Sequence, residues 1–436
     1  MREATRRPWQ APRASGATKQ IARKAPSLRV SAAHVGLVQR FLNLILDPTC
    51  RPVSAPAPRW DIFCTVVDNY GDVGVAWRLA RQLAGEHAIA VRLFVDDVRA
   101  LARLAPEIDA ATSEQRARGV DVRRWGGAQV DLAADPGEVV VEAFGCGLPP
   151  AYLRAMAARG RPPVWINLEY LSAESWIEGC QGLASRHPAL PLTRYFFFPG
   201  FTATSGGLPR ERDLLLRRDR FRAAPGAREA LWRALGIAAP APDALVVSLF
   251  CYPNAPLPSV LNAWAESDRP TLCIVPEGTA NAMLERWTGG AGVLAGKRFG
   301  RGRLTLAAVP FVAQDDYDQV LWACDINFVR GEDSFVRAQW AARPLVWHVY
   351  PQTENAHRLK LDAFLARYGA ALPPDPAAAL RSLSIAWNGE GDAGAVWQQF
   401  AAALPALRTH AESWTSALAV QSDLAEALVK FCADRV

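Results

Sequence analysis

The 436-residue chain has eight cysteines and six histidines, but no CxxC pair and no Cys/His spacing of a zinc site. A structural metal or a disulfide framework is therefore not expected to organise it. No apolar run has the length of a bilayer span, and "HVGLVQRFLNLIL" is amphipathic but too short. There is no solenoid-period repeat, and no Ser-His-Asp arrangement follows from spacing. Basic charge is also missing where it would matter. The formal net charge is +6, yet residues 1–57 hold ten Lys/Arg against Glu3 and Asp47, leaving 39 basic and 41 acidic residues in the rest. A body without basic excess does not read as a nucleic-acid binder. Without a spanning segment it reads as cytoplasmic, with neither nucleic acid nor membrane as a partner.

The first segment, "MREATRRPWQAPRASGATKQIARKAP", is rich in Arg, Ala and Pro and nearly free of acid. Residues 1–57 have the composition of a disordered extension, and a transit peptide or an upstream start codon would leave the same trace.

From residue 60 onward, short apolar runs alternate with helical patterns, the signature of βα units and parallel sheets. "DIFCTVV" (61–67), "AIAVRLFV" (88–95), "VDVRRW" (120–125), "EVVVEAF" (138–144), "PVWINL" (163–168) and "TRYFFF" (193–198) read as strands. A stretch rich in Gly, Pro and charge (199–226) breaks the series. "DALVVSLF" (243–250), "TLCIV" (271–275), "LTLAAVP" (304–310), "CDINFV" (324–329) and "PLVWHVY" (344–350) then start a second one. The expected organisation is an α/β chain with Rossmann-like domains at 58–225 and 226–375. Helices over 376–436 would close it by packing back on the first domain. Two parallel sheets place a ligand site in the crevice beyond the carboxyl ends of their strands.

Three strand ends carry chemistry. After the first strand, "DNYGD" places Asp68 and Asp72 before a helix. The loop matches neither GxGxxG nor the P-loop, and two carboxylates make a poor phosphate cradle. Either Asp72 is an N-cap and Asp68 merely ends a strand, or the pair serves a cation or acts as a general base. In "FVRGEDSFVRAQW", Arg330 offers a fork for phosphate oxygens. Ser334 and the following helix start can donate to a diphosphate, and Glu332 and Asp333 are placed for sugar hydroxyls or for capping. Phe250 and Tyr252 end the first strand of the second domain, and Phe311, Gln314 and Tyr317 precede a later one. Such aromatics can stack a planar base and Gln can pair with its edge, although core packing is the commoner use. His348, inside an apolar strand, reads as a hydrogen-bonded core histidine.

With "DNYGDVGVAWRLARQLA", "PVWINLEYLSAESW", "FFFPGF" and "FVRGEDSFVRAQWAARPLVWHVYPQ" in order, the chain from about residue 60 closely resembles the EarP family. These are bacterial protein-arginine rhamnosyltransferases acting on translation elongation factor P. The resemblance implies a GT-B fold, with two Rossmann-like domains facing an interdomain cleft. It further implies inverting transfer of L-rhamnose from dTDP-β-L-rhamnose to an arginine of elongation factor P. No DxD-type metal site is apparent in the sequence, and a fixed cationic clamp can replace a divalent ion, so transfer without metal or cofactor is expected. The resemblance assigns Asp68 and Asp72 to catalysis, Asp72 as the base. Phe250, Tyr252, Phe311 and Gln314 fall to the thymidine side, and Arg330, Glu332, Asp333 and Ser334 to the diphosphate and sugar. Among these, Glu332 joins the aspartates as a candidate for the chemistry. A carboxylate at a helix start is stabilised by the helix dipole and stays ionised, which suits an always-charged guanidinium. The rival readings are a GT-B transferase with another sugar or acceptor, and a non-catalytic protein that binds a nucleotide sugar.

Overall fold

Strands of Val, Ile, Leu and Phe buried on both faces form the centres of two sheets, as helix-covered parallel strands require. The computed structural model describes residues 57–126, 135–278, 280–290, 296–352 and 355–436. Residues 1–56 of the expected extension lie outside that description. The rest belongs to one unit, Ala57–Val436.

The first sheet contains β1 (Arg59–Cys64), β2 (Ala90–Val95), β3 (Glu114–Ala117), β4 (Val120–Arg124), β5 (Val139–Ala143), β6 (Val164–Leu168), β7 (Ala184–Arg186) and β8 (Thr193–Phe197). Helix α1 (Gly71–Glu86) follows β1, and α2 (Val98–Leu104) follows β2. The sheet order is β3-β4-β2-β1-β5-β6-β8-β7, parallel except for the edge strands β3 and β7. Trp60 of β1 aligns with Val91 of β2 on one side and Val139 of β5 on the other. Helix α1 buries Val73, Ala76, Trp77, Leu79, Ala80 and Leu83 in the core beneath this sheet.

The 199–226 break contains a helix, α3 (Leu214–Ala223). The second sheet follows, with β9 (Leu245–Leu249), β10 (Thr271–Pro276), β11 (Arg298–Arg301), β12 (Leu304–Val309), β13 (Ile326–Arg330) and β14 (Leu345–His348). Helix α4 (Gln314–Ala323) precedes β13, and α5 (Asp333–Trp340) follows it. The order is β11-β12-β10-β9-β13-β14, with only β11 antiparallel. Counting parallel strands along the chain, the two sheets run 3-2-1-4-5-6 and 3-2-1-4-5. Both are doubly wound Rossmann orders, whose direction reverses between β1 and β5 and between β9 and β13. This is the two-domain GT-B architecture.

Four helices close the chain: α6 (Ala356–Gly369), α7 (Pro374–Trp387), α8 (Trp397–Ala419) and α9 (Leu424–Ala433). The return to the first domain is narrower than the sequence implies. Leu424, Ala425, Leu428 and Cys432 of α9 join the first-domain core. Helices α7 and α8 instead extend the second-domain core, where Trp387 meets Phe328 at 4.8 Å and Trp397 meets Trp264 at 5.4 Å between ring centroids. Large aromatic rings facing an apolar sheet decide their partner.

Candidate functional site

Both reversals of strand order open onto one cleft, and the chemistry-bearing loops lie there. Asp68 follows β1, Phe250 follows β9, and Arg330, Gly331 and Glu332 end β13 and begin the next loop. Two cavities adjoin. The first, about 560 Å3 including space open to solvent, is lined by Asp68, Phe250, Phe311, Gln314, Arg330 and Ser334 among others. The second, about 670 Å3 on the same measure, is lined by Asp68, Asp72, Tyr170, Glu332, Tyr350 and Lys360 among others. Asp68 is the side chain they share.

The loop between β1 and α1 is folded around its own carboxylates. Gly71 N–H donates to the Asp68 carbonyl at 2.6 Å, and Asn69 takes a left-handed backbone with φ 39°. Asp72 does not cap α1. It lies in the first turn, and its Oδ2 accepts the N–H groups of Val67 at 2.7 Å and Asp68 at 2.8 Å, pinning the loop from behind. The Tyr170 hydroxyl also bonds this carboxylate. Burial nevertheless outweighs these hydrogen bonds and raises the Asp72 pKa. Its direction is thus set by desolvation and is opposite to the expected stabilisation of charge by the helix start.

Asp68 crosses the cleft. Its Oδ2 accepts from the Tyr252 hydroxyl at 2.6 Å, and its Oδ1 lies 3.4 Å from Arg330 Nη1. Burial again raises its pKa against the pull of Tyr252 and Arg330. The Arg330 guanidinium sits 4.4 Å from the Phe250 ring centroid and 4.7 Å from that of Tyr252, a double cation–π contact. Tyr252 is buried beneath Arg330 and lines neither cavity, so its placement differs from the base-stacking one expected of it. His348 is buried and accepts the Tyr252 N–H through Nδ1; burial and nearby Arg330 push its pKa down to about 3.

The loop at the end of β13 separates its residues by function. Gly331 has φ 62°, and a Cβ there would fall 2.5 Å from Asp68 Oδ2 and 3.1 Å from the Tyr252 hydroxyl. Only glycine gives both that backbone and that approach. Glu332 turns to the second cavity, where its Oε2 accepts the Leu171 N–H at 3.0 Å. Burial, with lesser contributions from Asp72 and Asp333, pushes its pKa up to about 8. Asp333 lines the first cavity, but its Oδ1 is bound by Arg78 Nε of α1 at 2.7 Å. The Ser334 hydroxyl donates to the Arg330 carbonyl and accepts the Arg330 N–H at 3.2 Å, closing the first turn of α5. The far end of α5 receives Arg218 on the Trp340 carbonyl at 2.9 Å and Arg222 on that of Ala341. Those cations match the negative end of its dipole, while its positive end faces the cavity.

On the other wall of the first cavity, Gln314 Nε2 donates to the Gly74 carbonyl at 3.0 Å and to Asp333 Oδ2 at 3.1 Å. Its Oε1 is buried and has no partner among the described residues, leaving an acceptor for a ligand N–H. Phe250 and Phe311 supply flat apolar surface beside it.

A buried ion network behind the cavity escaped the reading of the sequence. Arg78, 2% exposed, faces Asp333, Asp318 at 3.5 Å and Glu211 at 3.3 Å. Arg337 pairs with Asp318 at 2.5 Å and Glu211 at 2.6 Å. The two arginines draw the Glu211 carboxyl well below its usual range despite burial. The available signal was an arginine set among the buried residues of each helix, beside Trp77 and Leu79 in one and Val336 and Ala338 in the other, since a buried charge demands partners. Among the described residues, no group of three His, Cys, Asp or Glu is placed to hold a metal ion, and no helix is long and apolar enough to cross a membrane.

Residues 60–433 match the family described as elongation-factor P (EF-P) rhamnosyltransferase EarP. A protein-arginine rhamnosyltransferase of Pseudomonas putida is 52% identical over 372 residues, 85% of this chain and 98% of its own. One from Pseudomonas aeruginosa is 49% identical over 86% of this chain and 99% of its own. A solved structure described as the basis for EarP-mediated arginine glycosylation of translation elongation factor EF-P is 38% identical. It superposes with a TM-score of 0.63, covering 87% of this chain and all of that one.

Proposed function

Because the chain belongs to the EarP family of elongation-factor P rhamnosyltransferases, we propose that it transfers L-rhamnose from dTDP-β-L-rhamnose to an arginine side chain of elongation factor P. The observation that carries this reading is the pair of adjoining cavities sharing Asp68, one with a cationic and aromatic wall, the other with three carboxylates. The nucleotide sugar occupies the first. Its base lies against Phe250 and Phe311, with a ring N–H on Gln314 Oε1. Its diphosphate meets Arg330 and the start of α5, where Ser334 fixes the loop. Arg330 releases its long contact to Asp68 as phosphate oxygens replace it.

The acceptor guanidinium enters the second cavity. It is protonated and delocalised, hence a weak nucleophile until a carboxylate localises its electrons. Asp72 is the base and Asp68 orients the nitrogen toward C1 of the sugar. As the N–C1 bond forms, the C1–O bond to the diphosphate breaks and the departing dTDP carries the negative charge to Arg330. The proton passes to Asp72. Attack from the face opposite the leaving group inverts the anomeric centre. The raised Asp72 pKa makes that carboxylate a stronger base than an exposed one. Glu332 lines the acceptor cavity with its pKa raised by burial, so it donates a hydrogen bond there rather than taking the proton. The fixed arginine clamp stands in for a divalent ion, so transfer needs no metal, and it takes place in the cytoplasm.

Intact-mass measurement of elongation factor P after incubation with dTDP-rhamnose tests this. A gain of one deoxyhexose on arginine is expected, undiminished in excess EDTA. An unchanged mass with active acceptor and donor present sinks the transfer reading, and magnesium rescue of an EDTA-inactivated reaction sinks the metal-free step.

A further inference from the structure

We infer that Tyr70 is a positioning residue that couples nucleotide occupancy to the aspartate loop, through an aromatic clasp on Phe311 that Arg103 completes. The inference rests on the reading that the first cavity takes the nucleotide sugar. Phe311 belongs to the second domain, in the segment after β12. Its ring nevertheless touches two side chains of the first domain. The Tyr70 ring centroid lies 5.0 Å away at 53°, and the Arg103 guanidinium carbon is 4.8 Å from the Phe311 centroid. Tyr70 and Phe311 both line the first cavity, while Arg103 and Phe311 line an outer groove behind it.

Tyr70 stands at the apex of the loop that carries both aspartates. From inside, that loop is held by Asp72 on the N–H groups of Val67 and Asp68. At the apex, Tyr70 is the N-cap of α1 and makes no side-chain cap bond. Its ring contact with Phe311 is the tie at that point to the second domain. A planar base stacked on Phe311 therefore fixes the ring on which Tyr70 leans, and through Tyr70 the spacing of Asp68 and Asp72. The contact uses the ring and not the hydroxyl, so phenylalanine should replace tyrosine without loss.

The full chain is compared as wild type, Tyr70→Leu, Tyr70→Phe, Phe311→Leu, the Tyr70→Leu/Phe311→Leu double variant and Arg103→Met, using dTDP binding by calorimetry and transfer at saturating dTDP-rhamnose. Tyr70→Leu should weaken dTDP by about 3- to 10-fold, the scale of an aromatic pair. It should also lower kcat by about the same factor at saturating donor, because the apex of the loop loses its ring contact with the second domain. Tyr70→Phe should stay within about twofold of wild type on both readouts. The double variant should be scarcely worse than the worse single one, the mark of a shared contact. Arg103 is exposed, so Arg103→Met keeps the fold and should weaken dTDP in the same direction. Normal kcat at saturation in Tyr70→Leu, or unchanged dTDP affinity in Arg103→Met, overturns the coupling. A wild-type chain that does not bind dTDP overturns instead the nucleotide reading beneath it.

Discussion

At Gly331 two demands meet on one residue: a left-handed backbone and a neighbour, Asp68, with no room for a Cβ. Gly331→Ala should cost roughly 1–2 kcal/mol from the backbone alone. It should also displace Asp68, lowering kcat, and thermal melting with transfer assays would read both; unaltered activity would show that the close approach is not needed. Asp72→Asn keeps the size of the side chain but removes the proposed base. Turnover should fall at least about 100-fold with dTDP affinity preserved, and near-normal turnover would refute the assignment. Glu332 offers a pH test. Its folded pKa lies above its unfolded one, so between about pH 4.5 and 8 the native state holds a proton that the unfolded chain has lost. Stability through this carboxyl therefore declines as pH rises across that window. Glu332→Gln should flatten the decline, so melting of the two proteins at pH 5 and pH 9 should diverge on the alkaline side. Parallel melting curves would mean that the group titrates normally.

Among elements, what the sequence made legible was what burial dictates. "EVVVEAF" and "DALVVSLF" are apolar because helices cover both faces, and they appear as β5 and β9 within two residues of the expected bounds. The strands that escaped notice are β3 "EQRA", β7 "ASR" and β11 "RFGR", short antiparallel edges rich in charge or polar groups. Their polarity guards an open edge, and it also erases the apolar alternation by which a strand is recognised. The loops were legible as carriers of chemistry because they end strands. The partner of each side chain was not, since Asp333 facing Arg78 or Tyr252 facing Asp68 depends on how two domains meet. The same holds for the Arg78–Arg337 network. Arg337→Met should destabilise by about 3 kcal/mol, because Asp318 and Glu211 lose a buried cation. Adding Asp318→Asn should recover part of that loss in urea unfolding, and strict additivity would argue against a coupled pair.

For the whole molecule, the first cavity is walled by both domains, with Tyr70 and Leu104 on one side and Phe250 and Arg330 on the other. A ligand there binds only the folded, apposed pair. At 100 times its dissociation constant, dTDP should add about 2.7 kcal/mol of stability, raising the melting temperature of both domains together. A shift confined to one of two separate transitions would mean that the nucleotide touches a single domain.

The two cavities have Asp68 as their one common lining residue. Their wall sets are otherwise distinct, so on the proposed assignment of donor and acceptor most of one wall can be redesigned without touching the other. A graft that exchanged Phe250, Gln314 and their neighbours to admit another nucleotide sugar would leave most of the second cavity's wall intact. The limit on such modularity is the loop from Asp68 through Tyr70 to Asp72, which supplies residues to both walls and which any redesign of either must inherit unchanged.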